Sequence, residues 1–497
     1  MFQACDTIIA ATDASRDGEM TFRYVYQYLN CTQPCFRLWI SSLTDESVRQ
    51  GMENLKPDSC YDSLFLAADS RNKADWILGI NASYAMCKAM GFGNNSLGRV
   101  QTPVLAVISR RYRERENHIS SDSWPIYISL QKDGILFKMR RTQDIPDKKS
   151  ATMFFQDCKL AHQAQITGIR HSIKEILPPD LLDLTQLQKE ANIRYGFTAS
   201  EVYDIAQSLY EKKLISYPRT SSRYLTEDVF DSLPPIMARL LSWELFPAAK
   251  GTASIDISSL FRHVINAEKA NVHHAIIITG IRPGNLPEKE MLVYRLVAGR
   301  MLEAFMPPCR IETTDIEAIC AAQHFKAEQT RIIEAGWHDV FMNSDMVPKS
   351  GYSVNELPEV EKGDTLNVCG RNLVHKKQLP VNPFTDAELV EYMELNGLGT
   401  VSSRTNIIRT LVNRKYIRYS GKYIVPTPKG MFTYETIRGK KIADTSLTAD
   451  WEKQLAGLES GMITRQDFLN RIRTLAKEMT DDIFNTYSQK EKVSILK

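Results

Sequence analysis

A chain of 497 residues with 43% apolar and 24% charged side chains is long enough for several domains with sizeable cores, and has the make-up of an ordinary globular protein. Its 62 Lys and Arg against 59 Asp and Glu leave a formal charge of +3, so total charge does not point to nucleic acid, and a surface for a polyanion has to come from segregated charge. The nine scattered cysteines contain no Cys-x-x-Cys pair, and Cys31 and Cys35, the closest two, have no second pair to complete a zinc site; they read as free thiols of a reducing cytosol.

The opening Met-Phe-Gln-Ala-Cys-Asp lacks the basic region and apolar core of a signal peptide, and no run approaches the ~20 apolar residues of a membrane span, so a cytoplasmic location is expected. Thr7 to Ala11 is a short apolar run of the kind that forms a buried strand, followed by a helix carrying Met20, Phe22, Val25 and Tyr26. Between them lie Asp13 and Asp17, at the carboxyl end of the strand, where α/β sheets build their sites. Two carboxylates there can share a magnesium ion, which takes oxygen ligands and keeps several waters. The residues alone leave a plainer reading open, in which Asp13 caps the helix while Asp17 and Glu19 favour its positive N-terminus.

A further strand is expected from Arg37 to Ser42, leading to a helix capped by Thr44. In the helical stretch from Ala67 to Asn81, Arg71 and Asp75 are four apart and share a face, which on its own means a surface ion pair worth about a few tenths of a kcal/mol. The segment Leu97-Gly98-Arg99-Val100-Gln101-Thr102 follows. From Ser123 to Ile176 the period becomes two: Ile126, Ile128 and Leu130, a Lys132-Asp133-Gly134 turn, then Leu136 and Phe137 form a hairpin. Similar strands are expected at Ile311 to Ala321, Arg331 to Phe341 and Thr365 to His375. Helical residues 177–305 interrupt this pattern, so one β domain is built from two pieces, with a helical insert hung from it that can swing away.

Within the insert, Leu184, Leu187, Ala191 and Ile193, then Ala199, Val202, Ile205, Ala206 and Leu209, form two amphipathic helices joined at Tyr195-Gly196-Phe197-Thr198. Leu214-Ile-Ser-Tyr-Pro-Arg-Thr-Ser-Ser-Arg-Tyr-Leu225 follows. Tyr217 and Arg219 put a phenol and a guanidinium on one short extended piece, which suits attack on a phosphodiester: the phenol as nucleophile, the five-donor guanidinium on the non-bridging oxygens. A Tyr-Pro-Arg turn also occurs for purely structural reasons. Asn271-Val272-His273-His274-Ala275 is the second chemical signal, although paired histidines are more often core or surface features. Beyond Lys376, helices containing Phe384 to Leu389 and Ile407 to Leu411 flank a Gly397-Leu-Gly-Thr400 turn, and a small hairpin ends at Thr427. From Arg404 to Lys441 nearly every charge is positive, with Tyr416, Tyr419 and Tyr423 among Arg414, Lys415, Arg418 and Lys422. That mixture suits single-stranded DNA, and equally a solvated face over a half-buried hairpin. Asp450-Trp451-Glu452-Lys453 and a last amphipathic helix close the chain.

From about Thr7 to Arg473 these motifs together resemble the type IA DNA topoisomerases, most closely the bacterial topoisomerase III-like members; the run from Asp183-Leu-Thr-Gln-Leu-Gln to Tyr224 matches the active-site region nearly residue for residue. The resemblance implies a mixed α/β, multi-domain toroid with a basic central hole. Residues 1–47 would be a partial TOPRIM domain, 48–122 with 377–497 a helical DNA-binding domain, 123–176 with 306–376 a β-rich arch, and 177–305 the gate. It assigns Tyr217, Arg219 and His273 to catalysis, His273 orienting the phosphate, and Asp13 and Asp17 to Mg2+. Arg71, Asp75, Arg99, Gln101, Arg223, Ser403 and Arg404 would contact DNA. In the mechanism implied, Tyr217 becomes joined to a 5′ phosphate of single-stranded DNA, a strand passes, and the free 3′ hydroxyl attacks back. No nucleotide is needed, in keeping with the lack of a Gly-x-x-x-x-Gly-Lys-Ser/Thr loop.

Two departures modify this picture. The acidic motif reads Asp13, Ser15, Asp17 where the family has Asp-x-Asp-x-Glu. Only twelve residues precede Asp13, so the TOPRIM strand that carries a glutamate and a lysine is expected to be absent, which would impair turnover and religation above all. The alternative is therefore an impaired single-stranded DNA-binding remnant or one half of a split topoisomerase. The implied partners are single-stranded DNA, a helicase or a separate N-terminal TOPRIM fragment, with no membrane; the chain would be a monomer at the nucleoid. A tyrosine recombinase or type IB enzyme would order its arginines, histidine and tyrosine differently.

Overall fold

The computed structural model describes residues 2–40, 45–90, 95–243, 245–246, 262–270, 273–341 and 357–495. Thr44, expected as a cap, and Asn271 and Val272 of the paired-histidine segment lie outside them, as do Ser41 and Ser42.

The first apolar run forms β1 (Ile8–Ala10), with helix α1 (Arg16–Tyr28) leading to the parallel β2 (Cys35–Arg37). Ser15 caps α1, its side chain accepting from the Gly18 N–H, so Asp13 is not the cap. β2 lies upstream of the expected Arg37–Ser42 strand and ends at Arg37. That guanidinium turns inward to Glu19 at 3.0 Å, both side chains fully buried, and also donates to the backbone oxygens of Ala10 and Asp13 at 2.8 and 2.5 Å. Helix α2 (Asp45–Glu53) and the short β3 (Lys56–Pro57), antiparallel to β2, complete this sheet in the order β1-β2-β3. The 29-residue α3 (Asp62–Met90) and α4 (Gln101–Glu116) follow.

Next come β4 (Asp122–Ser123), β5 (Ile126–Lys132) and β6 (Ile135–Arg141). Asp133 and Gly134, at φ 51° and 82°, close a two-residue hairpin whose left-handed backbone Asp-Gly tolerates well. Helix α5 (Lys148–Leu160), capped by Asp147, interrupts the alternation before β7 (Gln163–Ile176). The insert contains α6 (Leu184–Tyr195), α7 (Ala199–Glu211), α8 (Glu227–Asp231), α9 (Pro234–Ser242), α10 (Ala267–Ala270) and α11 (Glu288–Phe305). Asp183 caps α6, left-handed Gly196 ends it, and Thr198 with Glu201 forms a capping box that opens α7. Ile193, expected on the apolar face, is exposed, because α6 buries Leu184, Leu187, Gln188 and Ala191.

The chain then returns as β8 (Cys309–Cys320), β9 (Gln323–Glu334) and β10 (Thr365–Leu373), closing a barrel in the order β10-β5-β6-β9-β8-β7. Ile126, Ile128, Phe137, Met139, Ile316 and Phe325 fill its core, with Ala151 and Cys158 of α5 packed in. The β8–β9 turn uses Ala321 and Ala322 at φ 49° and 59°, without any glycine to announce it. The strand expected to reach Phe341 stops at Glu334; Gly336–Val340 turn as a 3-10 helix, and Val340 and Phe341 enter the core of the insert. Gly336, at φ 52°, leaves no room for a side chain beside the carbonyls of Pro307 and Pro308.

A short β11 (Lys376–Lys377) pairs with β4, and α12 (Asp386–Leu395), α13 (Val401–Asn413), β12 (Ile417–Ser420), β13 (Tyr423–Pro426), α14 (Pro428–Ile437), α15 (Ser446–Glu459) and α16 (Arg465–Ile495) complete the fold. α3 packs on α15 and α16 around Trp451, Leu455 and Phe468, and α4 packs with the region from α12 to β13 around Leu105, Ile108, Leu389 and Tyr416. Among the described residues no helix is long and apolar enough to cross a membrane.

Candidate active site

The Leu214–Leu225 segment is fastened along its length to residues 264–269 and 273–279. Lys213, left-handed at φ 60°, ends the turn after α7. Ile215 then bridges to Ile278, and Ser216 bonds Ile277 through both its backbone (2.8 Å) and its hydroxyl, which accepts at 3.0 Å. Beyond the tyrosine, buried Thr220 donates to the His273 carbonyl at 2.7 Å, Ser222 to the Lys269 carbonyl at 2.8 Å, and Leu225 N–H to the Val264 carbonyl at 2.8 Å. Tyr217 and Arg219 are thus held on a backbone anchored on both sides, as a reacting pair requires.

Tyr217 is 9% exposed and donates its phenolic hydroxyl to Asp13 Oδ2 at 2.6 Å. Its ring lies 5.3 Å from that of Tyr210 and 4.6 Å from that of His273. Arg219 reaches the same Asp13 oxygen at 3.8 Å, donates to Gln207 at 3.3 Å, and lies 5.3 Å over the ring of Tyr203. Burial first, and the Asp13 carboxylate second, push the Tyr217 phenol above the usual tyrosine range. The neighbouring His274 is buried with Nδ1 2.7 Å from the Ala275 carbonyl, and desolvation lowers its affinity for a proton, so it is a core histidine.

Asp13 is positioned by its own backbone: Arg37 holds its carbonyl, and Gly18 packs so closely that a Cβ there would run into that oxygen. Asp17, in the first turn of α1, pairs with Arg71 of α3. The two aspartate side chains are 46% and 47% exposed. No group of three potential metal ligands occurs among the described residues. Two half-exposed carboxylates match the requirement of magnesium, which is commonly bound by one or two carboxylates plus substrate phosphate and water.

The remaining candidates separate into two groups. Arg71 and Asp75 are not partners: Arg71 turns to Asp17, while Asp75 takes Arg99 at 2.8 Å. Arg99 is buried, 4.9 Å over Trp451 and 3.5 Å from Glu452, and Gln101 accepts from Arg414 at 2.8 Å. Arg223 holds Asp183 at 2.6 Å, and buried Arg404 holds Glu394 at 3.2 Å. Ser403 accepts from the Thr400 N–H at 2.8 Å at the start of α13. The basic hairpin does not offer its first two tyrosines for stacking: Tyr416 is buried with its hydroxyl on the Ser96 carbonyl, and Tyr419 donates to Asp386 at 3.1 Å. Sequence reasoning missed Tyr203, Gln207 and Tyr210, although their spacing of four and three marks one face of α7, and it missed Glu394, whose partners Thr185 and Arg223 are remote in sequence.

A model of the DNA topoisomerase family matches residues 59–470. DNA topoisomerase 3 of Bacillus licheniformis is 32% identical over 501 residues, covering 96% of this chain and 68% of that protein. DNA topoisomerase 3 of Bacillus subtilis is 31% identical over 514 residues, covering 96% and 69%. The solved structure of full-length topoisomerase I from Thermotoga maritima aligns with a TM-score of 0.74 over 95% of this chain and 77% of that one, at 22% identity, a likeness of fold.

Proposed function

Since this chain belongs to the type IA DNA topoisomerases, in the topoisomerase III-like group, and is an isomerase that changes DNA topology, we propose that Tyr217 is the nucleophile that opens the strand. What carries the assignment is the meeting of Tyr217 and Arg219 on one oxygen of Asp13. The substrate is single-stranded DNA. The phenolic oxygen attacks phosphorus, a tyrosine–5′-phosphate bond forms, the bond to the 3′ oxygen breaks, and that oxygen leaves as a hydroxyl with a proton taken from water, while the tyrosine proton passes to a base. Asp13, 2.6 Å from the phenol, is placed to accept the tyrosine proton. Arg219 meets the charge that builds on the non-bridging oxygens, and His273, against the Tyr217 ring, orients the phosphate. The 3′ hydroxyl reverses the step once a strand has passed, and no nucleotide is consumed.

Asp13 and Asp17 would hold a magnesium ion, which supplies positive charge for phosphate oxygens when bound. Arg71, beside Asp17, and Gln101, beside Arg414, line the approach of the DNA. The test is relaxation of a negatively supercoiled plasmid without ATP. The unaltered chain relaxes it and Tyr217→Phe does not, while binding oligonucleotide within about threefold of the parent; relaxation by the variant would overturn the assignment.

A further inference from the structure

Helices α6 and α7 meet α12 and α13 along a seam that, apart from Ala199 packed on Leu389 and its neighbours, is crossed by polar pairs. Lys189 pairs with Glu391 at 2.6 Å, Gln188 donates to Thr405 at 2.8 Å, and Asp204 takes Arg409 at 2.8 Å. At Arg223, six residues from Tyr217, charges from both sides interlock. Glu394 Oε1 takes Arg404 at 3.2 Å and the Thr185 hydroxyl at 3.1 Å, its Oε2 faces Arg223 at 3.7 Å, and Arg223 holds buried Asp183. Arg404 and Glu394 come from the α12–α13 side, Thr185, Asp183 and Arg223 from the insert. Among the carboxylates of the described residues on the seam, Glu394 is the one that meets a guanidinium from each side.

A carboxylate and a phosphate diester present the same kind of acceptor to a guanidinium. Arg223 keeps a third of its side chain in solvent, so an incoming strand can reach it while the seam is shut. Polar groups that part along such a seam are rehydrated, unlike the apolar cores on either side. We infer that Glu394 is a positioning residue standing in for a DNA phosphate: it holds Arg223 and Arg404 in the closed protein and yields them to the entering strand, so that DNA binding itself releases α6 from α12. This rests on the reading of the chain as a topoisomerase that takes single-stranded DNA.

The test uses full-length Tyr217→Phe, in which cleavage plays no part, and measures oligonucleotide affinity by fluorescence anisotropy across a salt series. Adding Glu394→Gln is expected to tighten binding about tenfold, and Glu394→Asp, which keeps the charge but shortens its reach, about threefold. Glu391→Gln, on the same seam but away from both guanidiniums, should stay within about twofold. Adding Arg223→Ala to Glu394→Gln should abolish the gain. Unchanged or weaker binding by both Glu394 variants, or an equal gain from Glu391→Gln, would overturn the inference while leaving the assignment of Tyr217 intact. Failure of the Tyr217→Phe parent to bind any oligonucleotide would overturn the functional reading and this inference with it.

Discussion

The Tyr217 hydroxyl donates to Asp13 Oδ2 at 2.6 Å, joining residues 204 apart in sequence. Burial and that carboxylate keep the phenol protonated at neutral pH, so attack depends on a partner that takes its proton. Asp13→Asn is expected to slow cleavage of an end-labelled oligonucleotide by about 10²–10⁴-fold, with binding within about threefold of the parent. A variant that cleaves at the parental rate would remove Asp13 from the chemistry.

Arg219 contributes a planar fork, which a lysine ammonium does not reproduce. Both Arg219→Lys and Arg219→Ala should cut the cleavage rate by about 10²–10³-fold, while thermal unfolding moves little, because a third of the side chain is in solvent. Recovery of most activity in the lysine variant would mean that positive charge alone suffices.

Gly18 sets the position of Asp13 through backbone contact. In Gly18→Ala the added methyl group collides with the Asp13 carbonyl, and the loop has to shift. Cleavage should fall at least about tenfold, since catalytic geometry tolerates little displacement, whereas Gly284→Ala, in open space, should be silent. Equal activity of the two variants would show that the loop can move without consequence.

Asp386, at the start of α12, is pushed up to about 6 by burial, although Tyr419 and the Ala199 N–H both donate to it. Its pKa is higher folded than unfolded, so its contribution to stability is full below about 4 and is lost as pH rises through about 6. The stability of the parent relative to Asp386→Asn should therefore fall by a few kcal/mol in order of magnitude between those pH values, read by denaturant unfolding. A difference independent of pH would contradict the raised value.

Local chemistry was legible where neighbours in sequence decide the structure. The Tyr195-Gly196-Phe197-Thr198 junction between α6 and α7 and the Asp133-Gly134 turn rest on backbone preferences that span only a few residues. Helix α5 was not legible, because the alternation on either side of it continues past the interruption, nor was the Ala321-Ala322 turn, whose left-handed backbone is imposed by the paired strands. The spacing of Arg71 and Asp75 predicted a pair, yet each finds its partner elsewhere in the chain, Arg71 on Asp17 and Asp75 on Arg99. Among the candidate site residues the same limit holds: Tyr217 and Arg219 were visible as a motif, whereas their convergence on Asp13 and the burial of Arg99 and Arg404 are products of tertiary contact.

The most direct measurement is to mix the protein with a single-stranded oligonucleotide, denature it rapidly to trap the covalent intermediate, digest it, and locate the nucleotide-bearing residue by mass spectrometry. The expected result is a 5′-phosphate linked to Tyr217, with a free 3′ hydroxyl on the released fragment and no adduct from Tyr217→Phe. An adduct on any other residue, or one that survives in Tyr217→Phe, would contradict it.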